Sequence, residues 1–229
     1  MYTQFKNGFW AFCLLAAFLL YSIGQILLLV HERSHADLYT RLSKFDSLWV
    51  NAHLILMLSL LLMIPAFLAI GSFLKNRKHP IWFGASFVFT VLSILVQFGQ
   101  FSIDLCLTEL FELPKDEAIV IYEKLRNSAI VEGLFYDNSK IFSFLRYLDL
   151  WFLGQICLAG AFLKARKLPM WSLIIFFLAL MLTQLGALIF PVFGKTSNYL
   201  GYIFYSIAYI PIAINIVENK RTRSSSSNS

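Results

Sequence analysis

Charge is what this sequence has least of. Only 14% of its 229 residues are charged while 59% are hydrophobic, whereas a soluble domain carries roughly a quarter charged residues. A water-soluble chain of this length could not bury so much apolar side chain. That excludes an ordinary soluble domain and requires a bilayer as solvent. The net charge of +6 does not point to nucleic acid, because the basic residues lie in short links between apolar runs and form no continuous patch. Cysteine is also scarce. Cys13, Cys106 and Cys157 fall in or beside apolar runs, and an odd number without paired loop positions gives no disulfide framework. There is no Asn-x-Ser/Thr acceptor, no Gly-x-Ser-x-Gly elbow and no phosphate loop, so nothing marks a glycosylated secretory route, a hydrolase with a serine elbow or a nucleotide enzyme.

What is present is a set of long apolar runs. A helix needs about 20 apolar residues to cross the hydrocarbon core. Six runs meet or approach that length, at 9–30, 48–74, 81–103, 143–163, 170–192 and 199–217. The first is too long for a signal-peptide core and has no small-x-small cleavage site after it, so it reads as a retained helix. The sixth contains Pro211, which a span tolerates if neighbours satisfy the carbonyl it frees. The expected fold is an all-α polytopic membrane helix bundle of about six transmembrane helices. It forms one domain over 1–218, followed by a polar, disordered tail at 219–229.

The links set the expected topology. Residues 75–80 and 164–169 each pack three basic residues, and no acid, into a tight turn, whereas 31–47 and 114–142 are long and mixed in sign. Short basic turns stay in the cytoplasm, which places both termini there too, with Lys220, Arg221 and Arg223 on the same side. Trp10, Trp49, Trp82, Trp151 and Trp171 each stand near the start of a run, where an amphipathic ring is expected at the headgroups. Helical spacing in the outer links, as in Leu38, Leu42, Phe45 and Trp49 or from Asp116 through Ile119 and Tyr122, is compatible with surface helices or with ordinary loops.

One motif repeats. Phe73-Leu74-Lys75-x-Arg77-Lys78-x-Pro80-x-Trp82 returns as Phe162-Leu163-Lys164-x-Arg166-Lys167-x-Pro169-x-Trp171. Each copy reads as a helix end, a basic turn, and a proline and tryptophan opening the next helix. Both copies enter from the same side, which suggests a parallel hairpin duplication and not an inverted repeat; convergence on the needs of any cytoplasmic turn is the alternative. This turn, the six spans and the length together resemble an uncharacterised group of bacterial six-helix membrane proteins, a domain of unknown function. The likeness is centred on Leu163 to Leu182 with its Leu-Pro-x-Trp opening, and extends more loosely to Phe73–Asp104. The resemblance implies a bacterial inner membrane and brings no activity or site residues with it.

Polar residues inside a membrane are costly and often functional. At about 1.5 Å per residue, Gln25, Gln97, Gln184 and Asp149 fall roughly 21–24 Å from the cytoplasmic edge, and Gln100, Arg146, His53 and Asp104 lie near the outer boundary. Ser93, Gln97, Gln100, Asp104 and Thr108 are spaced as one helical stripe. Arg146 and Asp149 are three apart and can pair, and Tyr202, Tyr205 and Tyr209 share a face. Gln97, Gln100, Asp104, Arg146, Asp149, Tyr202 and Tyr205 are therefore the candidate ligand-binding residues of a polar pocket open to the outer side. The competing reading is packing glue between helices.

Three functions follow as expectations. The first is a small-solute permease or ligand-binding membrane protein. The second is a scaffold docking a membrane-protein partner through 31–47 and 114–142. The third is an intramembrane enzyme using Asp149 and Asp104, whose carboxyl pKa burial would raise. Beyond the lipid bilayer, the expected partners are a small molecule or a membrane protein, and no nucleic acid. No metal or cofactor is expected. His31 and His35, four apart beside Glu32, read as a solvated loop, and His53 is the lone histidine within a run, at its edge, and makes no haem pair.

Overall fold

Apolar runs become helices here because a backbone in lipid must satisfy its own hydrogen bonds. The computed structural model describes residues 2–34, 47–74, 80–106, 114, 116–117, 120–121, 150–189 and 196–218, and every element formed among them is helical. In chain order these are α1 (Tyr2–Ser34), α2 (Ser47–Leu74), α3 (Pro80–Cys106), α4 (Leu150–Ala165), α5 (Met170–Ile189), α6 (Thr196–Ala208) and α7 (Ile210–Glu218). Four stretches are long and apolar enough to cross a membrane: Asn7–His31, Leu48–Leu74, Ile81–Gly99 and Tyr199–Glu218, the last combining α6 and α7. Leu150–Ala165 and Met170–Gln184 are shorter apolar helices. The stretches 143–149 and 190–192 of the expected spans lie outside the described residues, as do most of the outer links; residues 116–117 and 120–121 are helical.

The helices pack as antiparallel neighbours in chain order. α1 lies along α2, α3 along α4, and α5 along α6, and α1 also packs against α6 and α7. A glycine marks the close approach in each of the three pairs. Gly24 faces Leu56, Gly154 faces Ser86 and Thr90, and Gly201 faces Ala179 and Thr183. Small residues of this kind let membrane helices meet at backbone distance. Hydrogen bonds fix the direction of α1 against the last span: Asn7 Nδ2 donates to the Ile216 carbonyl at 3.0 Å, Ser206 Oγ to Leu15 at 3.0 Å and Ser22 Oγ to Tyr199 at 2.9 Å.

These contacts bring one set of ends together. The start of α1, the end of α2, the start of α3, the α4–α5 turn and the end of α7 share one end of the bundle. There Lys167 Nζ donates to the Phe73 carbonyl at 3.1 Å and lies 5.0 Å from the Phe73 ring centroid, while Lys164 Nζ lies 5.3 Å over Trp82. A cation at a helix C-terminus complements the last carbonyls of that helix. The two copies of the basic motif therefore touch, the lysines of the second resting on the aromatic residues of the first.

The turn chemistry follows the proline placement. α3 begins on Pro80, where a missing N–H costs nothing. In the second copy, Arg166 ends α4 with a left-handed φ of 50°, and the Pro169 carbonyl accepts from Ser172 N and Leu173 N at 3.0 and 3.2 Å to open α5. Outward faces are as apolar as the core: Phe12, Leu58, Leu61, Leu95 and Ile174 are all exposed. Such continuous apolar surface belongs against lipid, and the chain has the helices of an integral membrane protein.

Two expectations are corrected by the packing. Trp151, expected at the headgroups, is 4% exposed and packs against Phe18, Phe67, Tyr202 and Tyr205; its place near the start of a run is not a place at the end of the bundle. His31, expected in a solvated loop, lies in α1 and is fully buried beside Trp49, because α1 continues past the apolar run.

Candidate functional site

On α3, Ser86, Thr90, Ser93 and Gln97 recur at helical spacing and so share one face. Ser86, Thr90 and Ser93 are buried and Gln97 is half-buried, while Leu92 and Leu95 between them are exposed. The polar face of α3 therefore points into the bundle and its leucines point out. Gln97 is held from two sides. Its Oε1 accepts from Tyr21 Oη of α1 at 2.7 Å, and its Nε2 donates to Ser93 Oγ at 3.0 Å. The Tyr21 ring packs on Tyr202 of α6 with centroids 4.4 Å apart. Three helices thus meet at one polar point.

Of the residues expected at the site, the structure brings Gln97 and Tyr202 together through Tyr21. Tyr205 is fully enclosed, its ring against Phe18, Phe176, Trp151 and Tyr209. Gln100 and Asp104 occupy α3 positions that continue the register of Gln97 toward the end away from the basic turns; Arg146 and Asp149 lie outside the described residues. Sequence reasoning missed Tyr21, Ser86 and Thr90. The last two extend the same stripe by four and three residues and could have been found by following its spacing inward.

Below Gln97 the polar face runs against α4. A Cβ at Gly154 would stand 2.7 Å from Thr90 Oγ1 and 3.3 Å from Thr90 N, so α4 presents bare backbone to α3 there. Ser86 Oγ and Thr90 Oγ1 are buried without a hydrogen bond, as are both amide atoms of Gln155. Toward the other end, His53 Nδ1 donates to the Trp49 carbonyl at 2.9 Å, and its ring packs on Trp49 and edge-on to Phe101 of α3. Among the described residues no group of His, Cys, Asp or Glu is placed to hold a metal ion. Comparison with protein-family models, with curated proteins and with solved structures finds no match for this chain.

Proposed function

We propose that this protein is a small-solute permease, or a ligand-binding protein of the same build, whose polar site opens at the end of the bundle away from the basic turns. The observation that carries the reading is the inward polar face of α3, from Ser86 to Gln97, tied to α1 and α6 through Tyr21 and Tyr202. Packing glue is expected to be hydrogen-bonded between helices, whereas Ser86 and Thr90 carry no hydrogen bond. A face of four consecutive inward polar positions is more than one helix contact requires. Gln100 and Asp104 extend it outward along the same helix, and Arg146 and Asp149 complete its charged rim in this proposal. The basic turns and both termini would face the cytoplasm of a bacterial cell, in the inner membrane. The gathering of Asn7, Phe73, Lys164, Lys167 and Ile216 at one end supports that arrangement.

A cysteine scan of α3 tests the site. With Cys13, Cys106 and Cys157 replaced, single cysteines at 93, 97, 100 and 104 should react with a small membrane-impermeant methanethiosulfonate applied from outside, because a thiol ionises only where water reaches it. Cysteines at 92 and 95 should stay unlabelled. Equal silence at all six positions would remove the open site.

A further inference from the structure

Several buried polar groups of the bundle are uncharged and carry no hydrogen bond. Gln155 of α4 is fully buried with neither amide atom hydrogen-bonded, and the Trp151 indole N–H and the Tyr209 hydroxyl are buried and unbonded as well. These groups belong to one region. Trp151 and Phe162 stand one turn before and two turns after Gln155 on the same face of α4. Trp151 packs on Phe18 and Tyr205, Phe162 packs on Tyr209, and Phe18 packs on both tyrosines. An unpaired amide at this depth is costly, and a core selected for stability alone would carry leucine at 155.

We propose that Gln155, Trp151 and Tyr209 form the inner recognition point for a small uncharged solute that offers both donors and acceptors, of the size and chemistry of a simple amide or polyol. This rests on the permease reading above and names its substrate class. A glutamine amide presents one acceptor and two donors, an indole one donor, and a phenol either. Ser86 and Thr90 add unpaired hydroxyls on α3. Charge argues against an ion. Among the described residues, the buried polar side chains are Ser, Thr, Gln, His, Tyr and Trp, with no Asp, Glu, Lys or Arg, so an ion would find no counter-charge among these groups. A neutral solute exchanges hydrogen bonds to water for hydrogen bonds to these groups. The rings around them are in contact, with centroids 5.2–6.4 Å apart, so a solute must part them to reach these groups, and a small one disturbs them least.

The full chain in proteoliposomes provides the test. Stopped-flow light scattering reads flux of urea, acetamide and glycerol, and tracer assays read potassium, chloride and succinate. The expected result is protein-dependent flux of at least one neutral solute and of no ion. In Gln155→Leu that flux should fall at least tenfold while the melting temperature stays equal or rises. Trp151→Phe, which keeps the ring and removes the N–H, should lower flux without loss of folding and serves if the leucine variant fails to fold. If the protein moves an ion and no neutral solute, this inference is overturned and the permease reading stands. If it moves nothing, both fall. Neutral flux unchanged in both variants overturns the recognition point alone.

Discussion

Pro211 removes a donor from the last span, and the consequence can be followed atom by atom. A proline at 211 cannot bond the carbonyl of Ile207, and its ring crowds the turn before it. The helix breaks at Tyr209, between α6 and α7. The fully buried Ser172 hydroxyl of α5 donates at 2.6 Å to the Ala208 carbonyl, the one next to that of Ile207, so a neighbouring helix bonds the backbone at the break. Ser172→Ala is expected to lower stability by about 1 kcal/mol, the range for a side-chain hydrogen bond between membrane helices. Denaturant titration in detergent micelles measures this loss. In a Pro211→Ala background the helix can close on itself, and the same substitution should cost much less. Equal losses in the two backgrounds would show that the serine does not serve the break.

Helix pairs are the scale at which sequence and structure part company. The runs at 48–74, 81–103 and 170–192 sit where α2, α3 and α5 form, because hydropathy and proline placement are local properties of the chain. The direction of the α3 stripe was also legible, since spacing alone puts Ser93 and Gln97 on one face. Which helix that face meets was not. The Tyr21–Gln97 bond joins residues 76 positions apart, and no local pattern encodes it. Trp151 was misplaced for a related reason: distance from the start of a run measures depth only if the run starts at the membrane edge. The glycines belong to this scale too. A Cβ at Gly201 would stand 2.9 Å from both Ala179 O and Thr183 N of α5, atoms of the backbone that cannot swing away, whereas one at Gly84 of α3 meets nothing within 4 Å. Gly201→Ala should therefore destabilise by roughly 1–3 kcal/mol through overpacking. Gly84→Ala should stabilise by about 0.5–1 kcal/mol, because it removes backbone freedom from a helix interior. Thermal unfolding of the two variants side by side separates packing from propensity. A Gly201 variant as stable as the Gly84 variant would mean that the α5–α6 approach is looser than described.

At the scale of the whole molecule, the bundle is asymmetric along its axis, and that asymmetry carries a topology. One end joins the α4–α5 turn to the end of α2 and the start of α3 through Lys167 and Lys164, packed on Phe73 and Trp82. Toward the other end lie His31, Trp49 and His53 and, along α3, the positions of Gln100 and Asp104. Since Asn7 and Ile216 are bonded to each other at the basic end, the start of α1 and the end of α7 lie at one end of the bundle. Basic residues in short turns resist translocation, so that side is expected to be the cytoplasm. A fluorescent protein joined after Ser229 should then fold and fluoresce, and alkaline phosphatase at the same point should be inactive; inserted between 114 and 142, phosphatase should be active. Replacing Lys164, Arg166 and Lys167 by neutral residues should leave this orientation unchanged, because Lys75, Arg77 and Lys78 remain in the companion turn. Neutralising both turns should produce a mixed population of orientations. Active phosphatase at residue 229 of the unaltered chain would invert the molecule, and would put the polar face of α3 in reach of the cytoplasm instead of the outside.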